Sequence, residues 1–415
     1  MSRRADRRAG KTSGRASGQA SGQGAGSPAP AGKARARPAR RSPRWALWCL
    51  VVGVLLTAGS GAAVAGSRAM LGAATKTITQ QPLLGDTRVQ VKHASVKGAK
   101  TILLVGLDTR PNQDPSKLTR SDSIILLHIP ADHKAAYLVS LPRDSYVRIP
   151  AFDNGKQPYA GGRNKINAAF AYGSRGLTGD KALTGGVTLL TKTVKNLAGI
   201  TPDAGAVIDF QGFRKVVDVL GKVCMYVDTT TTSIHIGHDN STGKRAAPYR
   251  INPDGTVRGK IRGVTPNIYR KGNHCFTPAD ALDFVRQRDL LDDDSYDYGR
   301  QRHQQQFLKA VITNMVDSGL DSPTKLPGLL SALGKTMTVD NGGIPLADWV
   351  FALRGIRPDD LVTIKTNNGK FNSDNIPGVG SAEILSDTSM DLLKSVKTDT
   401  VDKFILANPT WVTRS

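Results

Sequence analysis

The chain has 415 residues, 39% of them hydrophobic, and 57 Lys and Arg against 34 Asp and Glu for a formal net charge of +23. That length and apolar content suffice for one large globular core, with a prior of roughly two domains before terminal segments are set aside. So basic a chain would ordinarily suggest a nucleic-acid partner, but the charge is unevenly placed, with twelve Lys and Arg against one acid, Asp6, in residues 1–44.

Within residues 1–44, the stretch SGRASGQASGQGAGSPAPAGKARARPARR contains almost nothing bulky and apolar to offset the entropy of ordering it. It is expected to be a disordered basic cytoplasmic tail. Residues 45–66, WALWCLVVGVLLTAGSGAAVAG, are 22 residues without a charge. As a helix they would cross about 30 Å of hydrocarbon, with Trp45 and Trp48 at the interface. Ala63-Val64-Ala65 would also suit cleavage of a signal peptide. The long basic leader and the length of the span favour an uncleaved signal anchor, which puts everything after Arg68 outside the cell by the positive-inside rule. Residues 67–99 read as a stalk, with Gln80-Gln81-Pro82 breaking any helix begun earlier.

From residue 100 a catalytic domain is expected to run to residue 415. The runs Thr101–Leu107, Asp122–Ile129 and Lys134–Leu141 read as strands, the last two as a hairpin, and Val207–Phe210 and Val223–Val227 as two more. Helical spacing marks 165–172, 187–197 and 213–220, and Thr277-Pro278 supplies an N-cap and a first-turn proline for another helix. Segments 304–315 and 325–333 continue the helical pattern. The fold class expected is α/β, a three-layer α/β/α domain around a central mixed sheet, preceded by one transmembrane helix. The polar, Gly- and Pro-rich stretch 229–273 reads as a long surface excursion, not a second core. No module is expected beyond this domain. Cys49 falls in the apolar span, which leaves Cys224 and Cys275 as a pair in an oxidising compartment; a disulfide is expected, two buried thiols being the other reading.

GxxxxGK[ST], HExxH and GxSxG are all absent. What remains are Asp and Arg residues at strand ends: Asp108 after TILLVGL, Asp122 opening SDSIILL, and Arg143-Asp144 after YLVSLP. In an open α/β sheet such positions converge on one rim, where carboxylates can hold Mg²⁺ and arginines phosphate oxygens. A second group lies in ALDFVRQRDLLDDDSYDYGRQRHQQ. Arg286 and Arg288 share a face only if the helix from Pro278 ends before them, whereas Asp297 and Arg300 are three apart and share a helical face. The competing reading is a solvated charge network with Asp289 and Asp292 to Asp294.

The ordered series GLDTR, RSDSIILLHI, VSLPRDSYV, RNKINAAFAYG, IDFQGFRKVVDVLGKV, ALDFVRQR and DYGRQRHQQ resembles the LytR-CpsA-Psr family of cell-wall glycopolymer ligases over about residues 101–311. The resemblance implies an enzyme that transfers a phosphate-linked glycopolymer from a polyprenyl pyrophosphate carrier to a peptidoglycan hydroxyl. It implies Asp108 and Asp122 as ligands of Mg²⁺ (or Mn²⁺), Arg143, Arg286, Arg288 and Arg300 as arginines gripping the pyrophosphate, and Asp297 as an acid near the phosphates. Asp122 and Asp297 are both candidates to accept the hydroxyl proton. Asn167, polar amid apolar neighbours, either orients an arginine of the substrate site or caps local structure. His303 stands where the family usually carries an arginine, and a neutral imidazole would weaken any phosphate contact there. A lipid tunnel between sheet and helices is also implied, with Leu126, Val139, Phe170, Leu190, Val194, Phe213 and Val217 as lining or as ordinary core.

The rival functions are hydrolysis, a polyprenyl pyrophosphate phosphatase using the same site with water, and a non-catalytic regulator or nucleic-acid binder. The regulator reading conflicts with a domain outside the cell and with the lack of a helix-turn-helix or RNA-binding signature. Teichoic, teichuronic and arabinogalactan-type chains all fit one pyrophosphate grip.

Overall fold

In the computed structural model, residues 75–76, 78–85, 95–108, 119–252, 256–315, 337–353 and 355–413 are described. The basic tail 1–44 and the apolar span 45–66 lie outside them. Among the described residues no helix is long and apolar enough to cross a membrane.

Alternation of burial along KTILLVGL decides where the two faces of the sheet go. After the short β1 (Thr79–Gln80), β2 (Lys100–Leu107) buries Leu103, Val105 and Leu107 on one face and offers Ile102, Leu104 and Gly106 to the other. The apolar runs that follow form β3 (Ser121–Ile129), antiparallel to β2, and β4 (Ala136–Leu141), antiparallel to β3. The hairpin β5 (Tyr146–Ile149) and β6 (Gly162–Lys165) leads into α1 (Asn167–Ser174) and α2 (Gly179–Ala198). Periodic Val187, Leu190 and Val194 are all buried, and α2 ends on Gly199 with φ of 67°, a left-handed C-cap that glycine takes without a Cβ penalty. The two helices approach closely at glycines: a Cβ on Gly173 would stand 2.2 Å from the Gly185 carbonyl oxygen.

Strand β7 (Ala204–Asp209) stops where Asp209 caps α3 (Phe210–Leu220) by accepting the Gly212 N–H at 2.7 Å, so Phe210, expected at a strand end, begins a helix instead. Strand β8 (Val223–Val227) follows as expected. The stretch 229–273 is not a loop. It folds into β9 (Thr231–Asp239), β10 (Arg245–Ala246), β11 (Tyr249–Ile251), β12 (Val257–Lys260) and β13 (Val264–Tyr269), arranged as a three-stranded sheet β10-β9-β13 and a pair β11–β12. The buried positions of β9 hold mainly small or polar residues, Thr231, Ser233 and Gly237 among them, and β11 and β12 are half or more exposed, so the apolar alternation that betrays a half-buried strand is missing.

Strand β14 (Gly272–Phe276) pairs with β8, with Cys275 directly opposite Cys224, and the two are joined as a disulfide. Thr277 and Pro278 start α4 (Pro278–Phe284), as the sequence indicated, and α5 (Tyr296–Met315) begins eight residues before the apolar periodicity becomes visible at residue 304. The helix expected at 325–333 lies outside the described residues. The chain closes with β15 (Met337–Asp340), α6 (Leu346–Leu353), β16 (Leu361–Lys365), the hairpin β17 (Ser373–Ile376) and β18 (Gly380–Glu383), then α7 (Asp387–Lys397), α8 (Val401–Ala407) and β19 (Val412–Thr413).

The central sheet has eight strands in the order β1-β15-β7-β2-β3-β4-β16-β19, parallel at β2–β7 and β4–β16 and antiparallel at β2–β3–β4. It is a mixed sheet. One face packs Leu103, Val105, Leu126 and Val139 against Phe170, Val187, Leu190 and Leu392 of α1, α2 and α7. The other carries α3 to α6, with Phe284, Phe307 and Val217 in one cluster and Ile129, Leu361 and Trp349 in another. The expected stalk 67–99 is not wholly outside this core. Strand β1 pairs with β15, Leu83 and Leu84 are completely buried, and the Asp340 carboxylate accepts both their backbone N–H groups at 2.7 and 3.1 Å.

Candidate active site

Two strand ends and one helix start bring acids and arginines together. Asp122 is the second residue of β3, and Arg143 follows β4 by two residues across Pro142, so the antiparallel β3–β4 pairing sets them side by side. The Arg143 Nη1 donates to Asp122 Oδ1 at 2.7 Å, and its Nε lies 3.6 Å from carboxylate oxygens of both Asp144 and Asp297. Asp297, in the first turn of α5, takes an ion pair from Arg300 Nη2 at 2.7 Å, the i,i+3 pair expected of one helical face. The same Arg300 nitrogen reaches the Asp122 backbone carbonyl at 3.3 Å. Thus Asp122, Arg143, Asp297 and Arg300 form one partly buried ionic cluster, and Lys165 borders it through Asp144 at 3.3 Å.

Burial opposes ionisation of Asp122, but Arg143, then Arg300 and Arg286, outweigh it and hold the carboxyl below its usual range. For Arg143, burial works against the charge and the carboxylates of Asp122, Asp297 and Asp144 outweigh it, so the guanidinium is held more firmly protonated than normal. Arg300 is pulled the other way, by complete burial and by its neighbour Arg143. Among the described residues the Nε atoms of Arg143 and Arg300 are buried donors with no hydrogen-bond partner. Buried donors of that kind are stabilised by an acceptor, and an anion is the acceptor best matched to a guanidinium.

The helix from Pro278 does end before the arginine pair: α4 stops at Phe284. Between the two arginines, Gln287 is completely buried and tied down, its amide bonded to the Ile234 N–H at 3.0 Å and to Asp283 Oδ1 at 2.8 Å. The Arg286 guanidinium lies 4.5 Å from the centre of the Phe210 ring, and Arg288 Nε is 3.5 Å from Asp289. Of the aspartates in the charge-network reading, Asp289 lies beside Arg288, and Asp293 pairs instead with Arg302 at 2.6 Å.

A cavity of about 250 Å³ runs from this cluster between the sheet and α3 to α5. Its walls are Leu104, Gly106, Ser123, Ile125 and Ala206 of the sheet with Phe213, Leu282 and Phe307 of the helices, and Asp122, Asp209 and Arg286 are its polar lining. Small residues on three adjacent strands, Gly106, Ser123 and Ala206, keep the floor open. Of the lining residues proposed from sequence, only Phe213 is in this cavity. Leu126, Val139, Phe170, Leu190 and Val194 pack in the core on the opposite face, and Val217 is buried beside the cavity in the helical cluster. The sequence shows which residues are apolar, but the face each strand residue takes follows from a parity fixed only by strand register.

Asp108 immediately follows β2, whose last residue pairs with Ser121, so Asp108 and Asp122 belong to neighbouring strand ends. Among the described residues no group of three or more His, Cys, Asp or Glu gathers as a metal cage. Asn167 starts α1 with its N–H donated to the Arg143 carbonyl at 3.1 Å, which fixes the backbone behind Arg143; its side-chain oxygen is buried with no hydrogen-bond partner. His303 is fully buried, stacked on Phe284 with ring centres 4.2 Å apart, and Arg302 pairs with Asp228 at 2.5 Å and Asp293 at 2.6 Å. Neither side chain is a partner of Asp122 or Asp297. Sequence reading missed Phe210, Lys165 and Glu383, and it placed Asp144 at the rim only as the neighbour of Arg143.

A mixed sheet with an arginine and aspartate rim beside an apolar cavity defines the class, and comparison with known proteins places the chain within it. The LytR_cpsA_psr family matches residues 68–391, and the chain belongs to this family. It is 27% identical over 291 residues to the regulatory protein MsrR of Staphylococcus aureus, covering 68% of this chain and 70% of that protein. It is 26% identical over 266 residues to the cell wall biosynthesis protein LcpA of Corynebacterium glutamicum, covering 59% of this chain and 45% of that one. The crystal structure of B. subtilis TagV shares the fold with a TM-score of 0.50 at 19% identity over 74% of this chain and 98% of TagV. Protein gbs0355 from Streptococcus agalactiae does so at 0.53 and 22% identity, over 73% and 88% of the two chains.

Proposed function

We propose that this protein is a membrane-anchored transferase that moves a phosphate-linked glycopolymer from a polyprenyl pyrophosphate carrier to a hydroxyl of peptidoglycan outside the cell. The observation that carries the proposal is the continuity of the apolar cavity with the ionic cluster: Asp122 belongs to both, and Arg286 on the cavity wall adds positive charge that acts on it. A ligand matched to such a site has a hydrocarbon tail joined to a dense anion, and a prenyl pyrophosphate is that kind of molecule. Family membership supports cell-wall glycopolymer transfer in general, and the name of LcpA agrees with it.

The arginines would do most of the chemistry. Phosphoryl transfer is catalysed by positioning and by neutralising charge on the moving and leaving oxygens, and a planar guanidinium meets phosphate oxygens in pairs. Arg143, Arg286 and Arg288 would grip the pyrophosphate, with Arg286 steadied by Phe210. Arg300 holds Asp297 and the Asp122 carbonyl and adds positive charge behind them. Asn167 would orient Arg143 through its carbonyl. Asp108 and Asp122 fit a Mg²⁺ or Mn²⁺ ion: they are hard oxygen donors at adjacent strand ends, and Asp122 is kept ionised. A pair, not a cage, suits an ion that completes its shell with substrate phosphate oxygens and water. When bound, the ion would supply further charge neutralisation on the pyrophosphate.

The test is incubation of the full-length protein with radiolabelled prenyl pyrophosphate glycolipid, with and without peptidoglycan. Transfer predicts label in the peptidoglycan fraction. Release of free glycopolymer phosphate at the same rate in both samples would make it a phosphatase, and unchanged glycolipid would leave a non-catalytic role.

A further inference from the structure

A second, smaller recess of about 110 Å³ opens beside the cluster, walled by Pro142, Asp144, Asp297, Gln301, Phe371 and Ser381. Arg143 joins the two cavities. Its Nη1 holds Asp122, on the wall of the apolar cavity, and its Nε faces Asp144 and Asp297, on the wall of the recess, at 3.6 Å each. A phosphate gripped by Arg143 would therefore have hydrocarbon space to one side and this recess to the other.

We infer that the recess is the acceptor subsite, built to receive a hydroxyl-bearing edge of a sugar whose ring rests on Phe371. The inference rests on the transferase reading above and specifies where its acceptor binds. Sugars present hydroxyl edges and apolar C–H faces, and sites that hold them pair planar polar side chains with an aromatic ring. Here Asp144, Asp297, the Gln301 amide and Ser381 offer the polar edge. Phe371 is 48% exposed and offers the ring face, with Tyr298 packed edge-on at 5.1 Å and the half-exposed Tyr296 at 6.0 Å. The recess has less than half the volume of the apolar cavity.

The recess is fixed in place by a largely buried acid on its inner wall. Glu383 is 4% exposed and accepts four hydrogen bonds, from the Tyr298 hydroxyl at 2.7 Å, Asn367 Nδ2 at 2.6 Å, the Asn372 N–H at 3.0 Å and Ser373 Oγ at 2.8 Å. Its own N–H bonds the Asp144 carbonyl at 2.9 Å. One residue thus ties the β17–β18 hairpin both to α5, which carries Asp297, and to the segment that carries Arg143. Asp297 is then the acid facing an incoming hydroxyl. That oxygen forms the new bond to the glycopolymer-side phosphorus, its proton passes to Asp297, and the bridging P–O bond breaks with its electron pair leaving on the lipid phosphate.

The test uses full-length protein with glycolipid donor and soluble un-cross-linked peptidoglycan glycan strands as the varied acceptor. Phe371→Ala should raise the acceptor KM by at least about fivefold, with donor binding and thermal stability unchanged, and Phe371→Trp should restore it. Saturation-transfer NMR of the same strands without donor should show binding to the wild type and lose it in Phe371→Ala. Normal transfer with an acceptor KM indifferent to Phe371→Ala, or donor affinity falling in parallel, would overturn the subsite and leave the transferase reading standing. Strands that bind through Phe371 to a protein that transfers nothing would do the reverse.

Discussion

Arg143 is held by Asp122, Asp144 and Asp297 together, and that makes the difference between a guanidinium and an ammonium measurable. Lysine keeps the charge but loses the planar fork that spans phosphate oxygens. Arg143→Lys, Arg286→Lys and Arg288→Lys should each weaken donor binding and transfer at least about tenfold, or 1.4 kcal/mol, with melting temperatures near wild type. Arg175→Lys is the control, since that guanidinium lies over the Tyr172 ring, outside the cluster. Wild-type behaviour in all four would mean that the cluster is a structural charge network. His303 gives a second prediction at this scale. Complete burial, reinforced by Arg302, pushes its imidazole down to about 3 from an ordinary 6.5. The unfolded chain therefore takes up a proton at this residue that the folded chain refuses. Its contribution to stability is whole above pH 6.5 and is lost as pH falls toward 3, with a slope of up to about 1.4 kcal/mol per pH unit. Urea unfolding at pH 7 and pH 5 should show a smaller acid loss for His303→Leu than for the wild type; equal losses would reject a buried neutral imidazole.

Among the elements, the β8–β14 pair combines a covalent link with a position close to the site. The Cys224–Cys275 disulfide spans 51 residues and closes the excursion that holds β9 to β13. The chain-entropy relation gives about 4 kcal/mol for a loop of that length. Cys224→Ser with Cys275→Ser should lower unfolding free energy by an amount of that order. Because β14 runs through Thr277 directly into α4 and on to Arg286, donor affinity should fall as well. Alkylation of both thiols in the native, unreduced wild type would contradict the link. Legibility at this scale followed burial. Strands β2, β3, β4 and β8 were readable within two residues because each alternates or is wholly apolar, and α4 was readable from its Thr-Pro start. The strands of 229–273 and the first turns of α5 were not, since many of their buried positions hold polar side chains such as Thr231, Ser233, Arg300 and Gln301, which leave no apolar period. The same rule covers the site: Asp122, Arg143, Asp297 and Arg300 stood out as charges at element ends, while Phe210 and Glu383 joined through tertiary contacts that leave no local pattern.

For the whole molecule, the proposed membrane topology is open to direct measurement. Protease added to intact protoplasts should remove the folded domain and leave a small membrane fragment, as the apolar span 45–66 and the basic leader require; full protection would reverse that topology. Domain limits were the least legible feature, because Leu83 and Leu84 sit in a short segment between polar stretches and reveal their burial only through Asp340 and β15. That docking shortens the tether. With residues 45–66 in the bilayer, only the twelve residues 67–78 separate the membrane from β1, a leash of at most about 40 Å when fully extended. In that proposed topology, a head so closely leashed would sample a thin shell of wall against the membrane. Its reach would bound the layer of wall that can receive polymer, and inserting residues ahead of Thr79 would thicken that layer without touching the chemistry.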